Sequence, residues 1–103
     1  MSKHRLRDRA AFIRSKNAGP FAITIDIFFE SREDLDLAWR CEDLAIPVIA
    51  SLYGVSTEHV QRFRIDQALA MKISLPRPIP AGESGDTDVA GGQQFAPLLN
   101  VTF

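Results

Sequence analysis

Four residues in a row, Arg14-Ser15-Lys16-Asn17, supply two cations, a hydroxyl and an amide immediately before Gly19-Pro20 and an alternating apolar run from Phe21 to Phe29. Gly-Pro punctuates a loop, and polar residues before it are poor core material. A polar, basic loop at the mouth of a strand suits an anionic ligand, with Arg14, Ser15, Lys16, Asn17 and the Gly19 backbone as binding groups. A second polar segment, Gly85-Asp86-Thr87-Asp88 leading into Gln93-Gln94, pairs flexible glycines with acceptors and amides. Brought together, Arg14 to Gly19 and Gly85 to Asp88 would orient a small carboxylate or acyl thioester, with Thr87, Asp88, Gln93 and Gln94 as further contacts. Proton transfer would fall to Asp86 or to Lys72, which interrupts an apolar strand between Met71 and Ile73. Two unrelated surface loops and a solvated lysine account for the same residues equally well.

Other chemistries find less support. His4 and His59 have no neighbouring ligand at metal spacing, and the loop acids Glu83, Asp86 and Asp88 lack an EF-hand's spacing. No glycine-rich phosphate loop is present, nor a nucleophilic triad, so no cofactor or metal is expected. Cys41 is the single cysteine, which rules out an intramolecular disulfide and suits a reducing compartment. With no apolar leader or span, a cytoplasmic protein away from the membrane is expected.

The chain's 103 residues suit one domain. A composition 46% hydrophobic and 24% charged argues against disorder. Net charge is −1, which does not favour nucleic acid, but the first sixteen residues hold six of the twelve basic residues and one acid. The basic arm over about residues 1–9 is either a solvated tail or part of an anion-binding patch.

The elements that position these groups follow from periodicity. Phe21, Ile23, Ile25, Ile27 and Phe29 share one strand face and should cover the core, leaving Asp26 on the other face in need of water or a partner. Residues 6–13 suit a short helix or a strand. Ser31 caps a helix that runs to about Arg40 and buries Leu35, Ala38 and Trp39. A second helix starts near Pro47, presents Val48, Ile49, Leu52 and Tyr53 as one apolar face, and stops at Gly54. Period two returns at Phe63 and Ile65 and again from Leu69 to Leu75, with a hairpin or bulge expected at Asp66-Gln67-Ala68. Pro76, Pro78 and Pro80 then open a Pro/Gly-rich loop over 76–92.

Ile49 to Val60 also has the small residue, turn glycine and cap of a helix-turn-helix. Glu58 and His59 stand where a basic recognition face is wanted, so DNA binding is a remote alternative. The fold expected is a two-layer α+β domain, a sheet of about four antiparallel or mixed strands with two helices on one face, ferredoxin-like as its nearest named arrangement.

Leu6-Arg7-Asp8, Ile13 to Phe21, Leu52-Tyr53-Gly54-Val55, Ala68 to Ile73, Pro76-Arg77-Pro78, Gly85-Asp86-Thr87-Asp88 and Gln93 to Leu98 occur in an order that resembles an uncharacterised domain-of-unknown-function family. Members of that family resemble the small C-terminal domain associated with acyclic terpene utilisation (AtuA-like) proteins and occur beside a larger AtuA-like protein. The resemblance implies a ferredoxin-like fold. It also implies an accessory subunit in organic-acid or acyl-CoA catabolism, partnered by an AtuA-like protein, and it brings no established catalytic residue. Two function classes stand side by side: a binding subunit that self-associates or joins that partner, and half of a composite active site for hydration, dehydration or isomerisation of a carboxylic acid or thioester.

Overall fold

The computed structural model describes Leu6, residues 10–19, residues 21–76 and Leu98. Strands β1 (Ala10–Asn17) and β2 (Ala22–Phe29) form a hairpin, followed by helices α1 (Arg32–Arg40) and α2 (Ile46–Tyr53) and a second hairpin, β3 (Gln61–Ile65) and β4 (Ala70–Pro76). The strands make one antiparallel sheet in the order β1-β2-β4-β3, with β2 and β4 central. The two-layer α+β expectation is met. The connectivity among the described elements, β-β-α-α-β-β, differs from the β-α-β-β-α-β order of a ferredoxin-like domain.

Alternation along the central strands sorts the sheet into two faces. Ile23, Ile25, Ile27 and Phe29 of β2 and Met71, Ile73 and Leu75 of β4 are buried with Leu35, Ala38, Ile49, Ala50 and Tyr53 of the helices, closed by Leu6, Leu44, Val60 and Leu98. Leu, Ile, Met and Phe side chains make up most of that layer, each contributing roughly 1.5–3 kcal/mol on full burial. Phe21 is not part of it: it lies in the turn before β2, 64% exposed.

Local signals fix the helices. The Ser31 side chain accepts a hydrogen bond from the Asp34 amide at 3.1 Å, and Glu33 and Asp34 place negative charge in the first turn of α1. In α2, Pro47 occupies the first turn and Gly54 closes the helix in the left-handed region at φ 67°. The start of α2 lacks a side-chain cap, since Ala45 stands at that position. Leu52 lies outside the expected apolar stripe, exposed, while Ala50 takes its place in the core.

After Gly54 comes only a 3₁₀ turn, Thr57–His59, and then β3. The recognition helix of a helix-turn-helix is therefore missing, which removes the structural basis of the DNA-binding alternative. The hairpin expected at Asp66-Gln67-Ala68 is present as a 3₁₀ turn closed by Leu69 at φ 51°.

Candidate functional site

The tetrapeptide Arg14-Ser15-Lys16-Asn17 is strand, not loop. It forms the second half of β1, and the turn falls on the residues after it, where Gly19 adopts φ 89° and the Ala18 amide donates to the Ala22 carbonyl at 2.9 Å. A strand separates neighbours that a loop would present together. Ser15 and Asn17 pair with Ile25 and Ile23 on the helix-covered face, and Ser15 is buried there. Arg14 and Lys16 point to the opposite face, which none of the helices among the described residues covers and which is helix-free in that sense. The anion-binding set read from the sequence is thus divided by the sheet, and Gly19 lies at its end.

Register assembles a different constellation on the helix-free face. Arg14 pairs with Asp26, Asp26 with Lys72, and Lys72 with Phe63, so one residue from each of the four strands makes a single row. The next row toward the β1–β2 turn is Lys16, Thr24, Ser74 and Gln61. On the other side of the charged row stand Phe12, Phe28, Ala70 and Ile65. Phe12, Phe63 and Ile65 are exposed large apolar side chains at 55%, 47% and 38%.

The electrostatics of the charged row are settled by one contact. The Arg14 Nε donates to Asp26 Oδ2 at 3.0 Å, with the Asp26 side chain 7% exposed and that of Arg14 52%. The Arg14 guanidinium also lies 5.3 Å from the Phe28 ring centroid, and Phe28 packs against Phe12 at 5.9 Å. Asp26 is thereby neutralised in place, as a buried carboxylate must be. Lys16 and Lys72 take part in none of the ion pairs among the described residues. Thr24 Oγ1, in the row of Lys16, is buried without a hydrogen-bond partner. The face therefore holds two uncommitted ammonium groups, one uncommitted hydroxyl and a paired carboxylate, flanked by aromatic rings.

The other pole of the charge pattern is structural. On β3 the helix-side residues are Arg62 and Arg64, and not Phe63 and Ile65. Arg62 Nη1 donates to the Trp39 carbonyl at 3.2 Å and the Leu44 carbonyl at 2.8 Å, and its guanidinium lies 4.1 Å from the Trp39 ring centroid. Burial lowers the Arg62 pKa from the ordinary arginine value. Arg64 is bonded to Asp66 at 2.7 Å and to Asp36, and these hydrogen bonds raise its pKa. These contacts lock the β3 edge to α1. Trp39 is accordingly half-buried under an arginine, outside the apolar core proper.

Asp86, Thr87, Asp88, Gln93 and Gln94 lie outside the described residues, and so does the expected approach of Gly85–Asp88 to the first segment. Among the described residues no group of His, Cys, Asp and Glu could hold a metal ion, and no helix is long and apolar enough to cross a membrane. Two members of the constellation, Thr24 and Ser74, were not singled out by sequence reasoning. Their signal was present in the strand alternation that placed Asp26 and Lys72 on the face away from the core.

A small α+β domain with a charged, aromatic-rimmed sheet face is the class that fold and site define. The chain belongs to the family described as domain of unknown function (DUF4387), whose profile matches residues 6–102. No curated protein and no solved structure matches it.

Proposed function

We propose that this protein is a small accessory subunit whose helix-free sheet face docks a larger partner of the AtuA-like type in organic-acid or acyl-CoA catabolism. The sequence resemblance supports the partner's identity. The observation that carries the reading is the exposure of Phe12, Phe63 and Ile65 on one sheet face around a row of charge. Large apolar side chains clustered on an otherwise polar surface mark interaction sites more often than scattered single ones do. The face carries three cations against one carboxylate, so the complementary partner surface is apolar with an acidic component. Two copies stacked through this face would oppose like charges. Self-association, which belongs to the same reading, therefore uses another surface, and β1 and β3, which are edge strands among the described residues, suit strand pairing.

Affinity capture from native cell extract tests the reading. A larger protein should co-elute with the wild-type chain and be lost with the double variant Phe12→Ser, Phe63→Ser. A wild-type chain that remains monomeric and recruits nothing larger would sink it.

A second reading, half of a composite active site for a carboxylic acid or its thioester, is favoured by Arg14, Asp26 and Lys72 sharing one row. In it Lys72 moves a proton for a substrate held against the partner. Unchanged turnover by the reconstituted complex after Lys72→Met would remove Lys72 from the chemistry.

A further inference from the structure

The rows flanking Asp26 leave their polar groups in an unbalanced state. Arg14 is committed to Asp26, which removes both from the pool of free ligating groups. What remains is Lys16 on β1, Lys72 on β4, and the hydroxyls of Thr24 and Ser74 directly opposite each other between them. Residues directly opposite across two strands hold their Cβ atoms about 4.5–5.5 Å apart, so the two hydroxyls are close enough to share an acceptor. β1 and β4 are separated by two strand spacings, about 10 Å, which two lysine stems leaning inward can bridge. A buried hydroxyl without a partner is uncommon in a native structure and marks a place where an acceptor belongs. On the far side of Lys72 the surface changes to aromatic: Phe63 is its direct cross-strand neighbour and Phe28 lies diagonally from it.

We propose that this face holds a subsite for a monocarboxylate with a short apolar tail, the carboxylate oxygens held by Lys16, Lys72, Thr24 and Ser74 and the tail lying against Phe63 and Phe28. The carboxylate supplies the acceptor that Thr24 Oγ1 lacks. Two ammonium groups complement the charge of the ligand beside an Asp26 already paired with Arg14. The aromatic side distinguishes this ligand from inorganic phosphate, which has nothing to place there. The inference deepens the composite-site reading by naming the substrate class, and it rests on that reading only for the claim that the bound acid is a substrate.

The test uses the chain alone, so that its failure is separate from a failure to recruit a partner. Hexanoate is titrated into the isotope-labelled protein and followed by amide chemical shifts, with hexanamide, acetate and phosphate as separate arms. Hexanoate should shift Thr24, Lys72 and Ser74 saturably, acetate and phosphate should bind several-fold more weakly, and hexanamide should leave these signals in place. Lys72→Met should weaken hexanoate about tenfold or more, the loss expected for one charge-assisted hydrogen bond. Thr24→Val, which keeps the shape of the side chain, should weaken it by a smaller factor of about two to five on the same scale. Both variants retain the wild-type signal dispersion if folded, which the same spectra report. Equal response to hexanamide or phosphate, or an affinity unmoved by Lys72→Met in a folded variant, would overturn the proposal. So would hexanoate shifts that fail to saturate. Capture of the larger partner would be unaffected by any of these results.

Discussion

Asp26 sits at the centre of the helix-free face with its side chain 7% exposed, and among the described residues it is ion-paired with the half-exposed Arg14. Half-exposed ion pairs contribute little by attraction, because water and salt screen the accessible partner. The larger quantity is the cost of leaving a buried carboxylate without any cation, about 1–3 kcal/mol. Lys72 is the cross-strand neighbour of Asp26 on the other side and is uncommitted, so it can replace Arg14 when that residue is lost. Arg14→Met and Lys72→Met should each destabilise the protein by roughly 1 kcal/mol or less, while the double variant loses more than the sum by about 1–2 kcal/mol. Urea unfolding of the four proteins in the cycle measures this. Additive losses would show that Lys72 does not stand in for Arg14. The same redundancy explains why a lysine in an apolar strand reads ambiguously in sequence: its role depends on a neighbour from a distant segment, which periodicity places on the same face but does not pair.

At the scale of elements, Arg62 ties the edge strand β3 to the end of α1 through two backbone carbonyls and the face of Trp39. A planar guanidinium does all three at once, and an ammonium group cannot. Arg62→Lys should therefore recover little of the loss caused by Arg62→Met, both costing about 1–2 kcal/mol. Fluorescence of the single tryptophan should change in both variants. Full recovery by lysine would mean that charge alone secures the strand. Gly54→Ala isolates a different term. A Cβ there meets nothing within 4 Å, so the cost of about 1 kcal/mol comes from the left-handed backbone and not from a clash. Chemical denaturation should show that loss without any change in spectra of the core. The helices, the central strand β2 and the turn at Asp66–Ala68 were legible because their apolar spacing, caps and breakers agree. The edge strands were not. β1 carries Arg14 and Lys16 outward and Ser15 and Asn17 inward, so both its faces are polar and it resembles a loop. β3 inverts the usual pattern, with Phe63 and Ile65 facing outward while Arg62 and Arg64 reach under α1. An edge strand satisfies polar side chains against helix ends and turns, and sequence patterning alone does not reveal which side offers those acceptors.

For the molecule as a whole, the sheet divides the work: the helix-covered face supplies the core and the other face gathers the groups that could act on a ligand. The candidate site was half legible for that reason, since alternation separated Asp26 and Lys72 from the core while their neighbours depended on register. Tyr53 offers a way to read the integrity of the core without touching the open face. It is the one tyrosine of the chain and lies buried at the end of α2. Burial raises its pKa well above the ordinary tyrosine range, because the low-polarity interior disfavours the phenolate. The unfolded chain ionises Tyr53 near pH 10, whereas the folded chain keeps it protonated beyond that. The stabilisation is therefore fully present below about pH 10 and is lost as pH rises toward the folded-state pKa, at up to about 1.4 kcal/mol per pH unit. Tyrosinate absorbance should appear together with the loss of far-ultraviolet circular dichroism and not before it. Tyr53→Phe should flatten this part of the alkaline stability profile. Phenolate formation in a chain that still shows its native dichroism would contradict the burial of Tyr53. It would also place an opening of the core, at the end of α2, ahead of global unfolding.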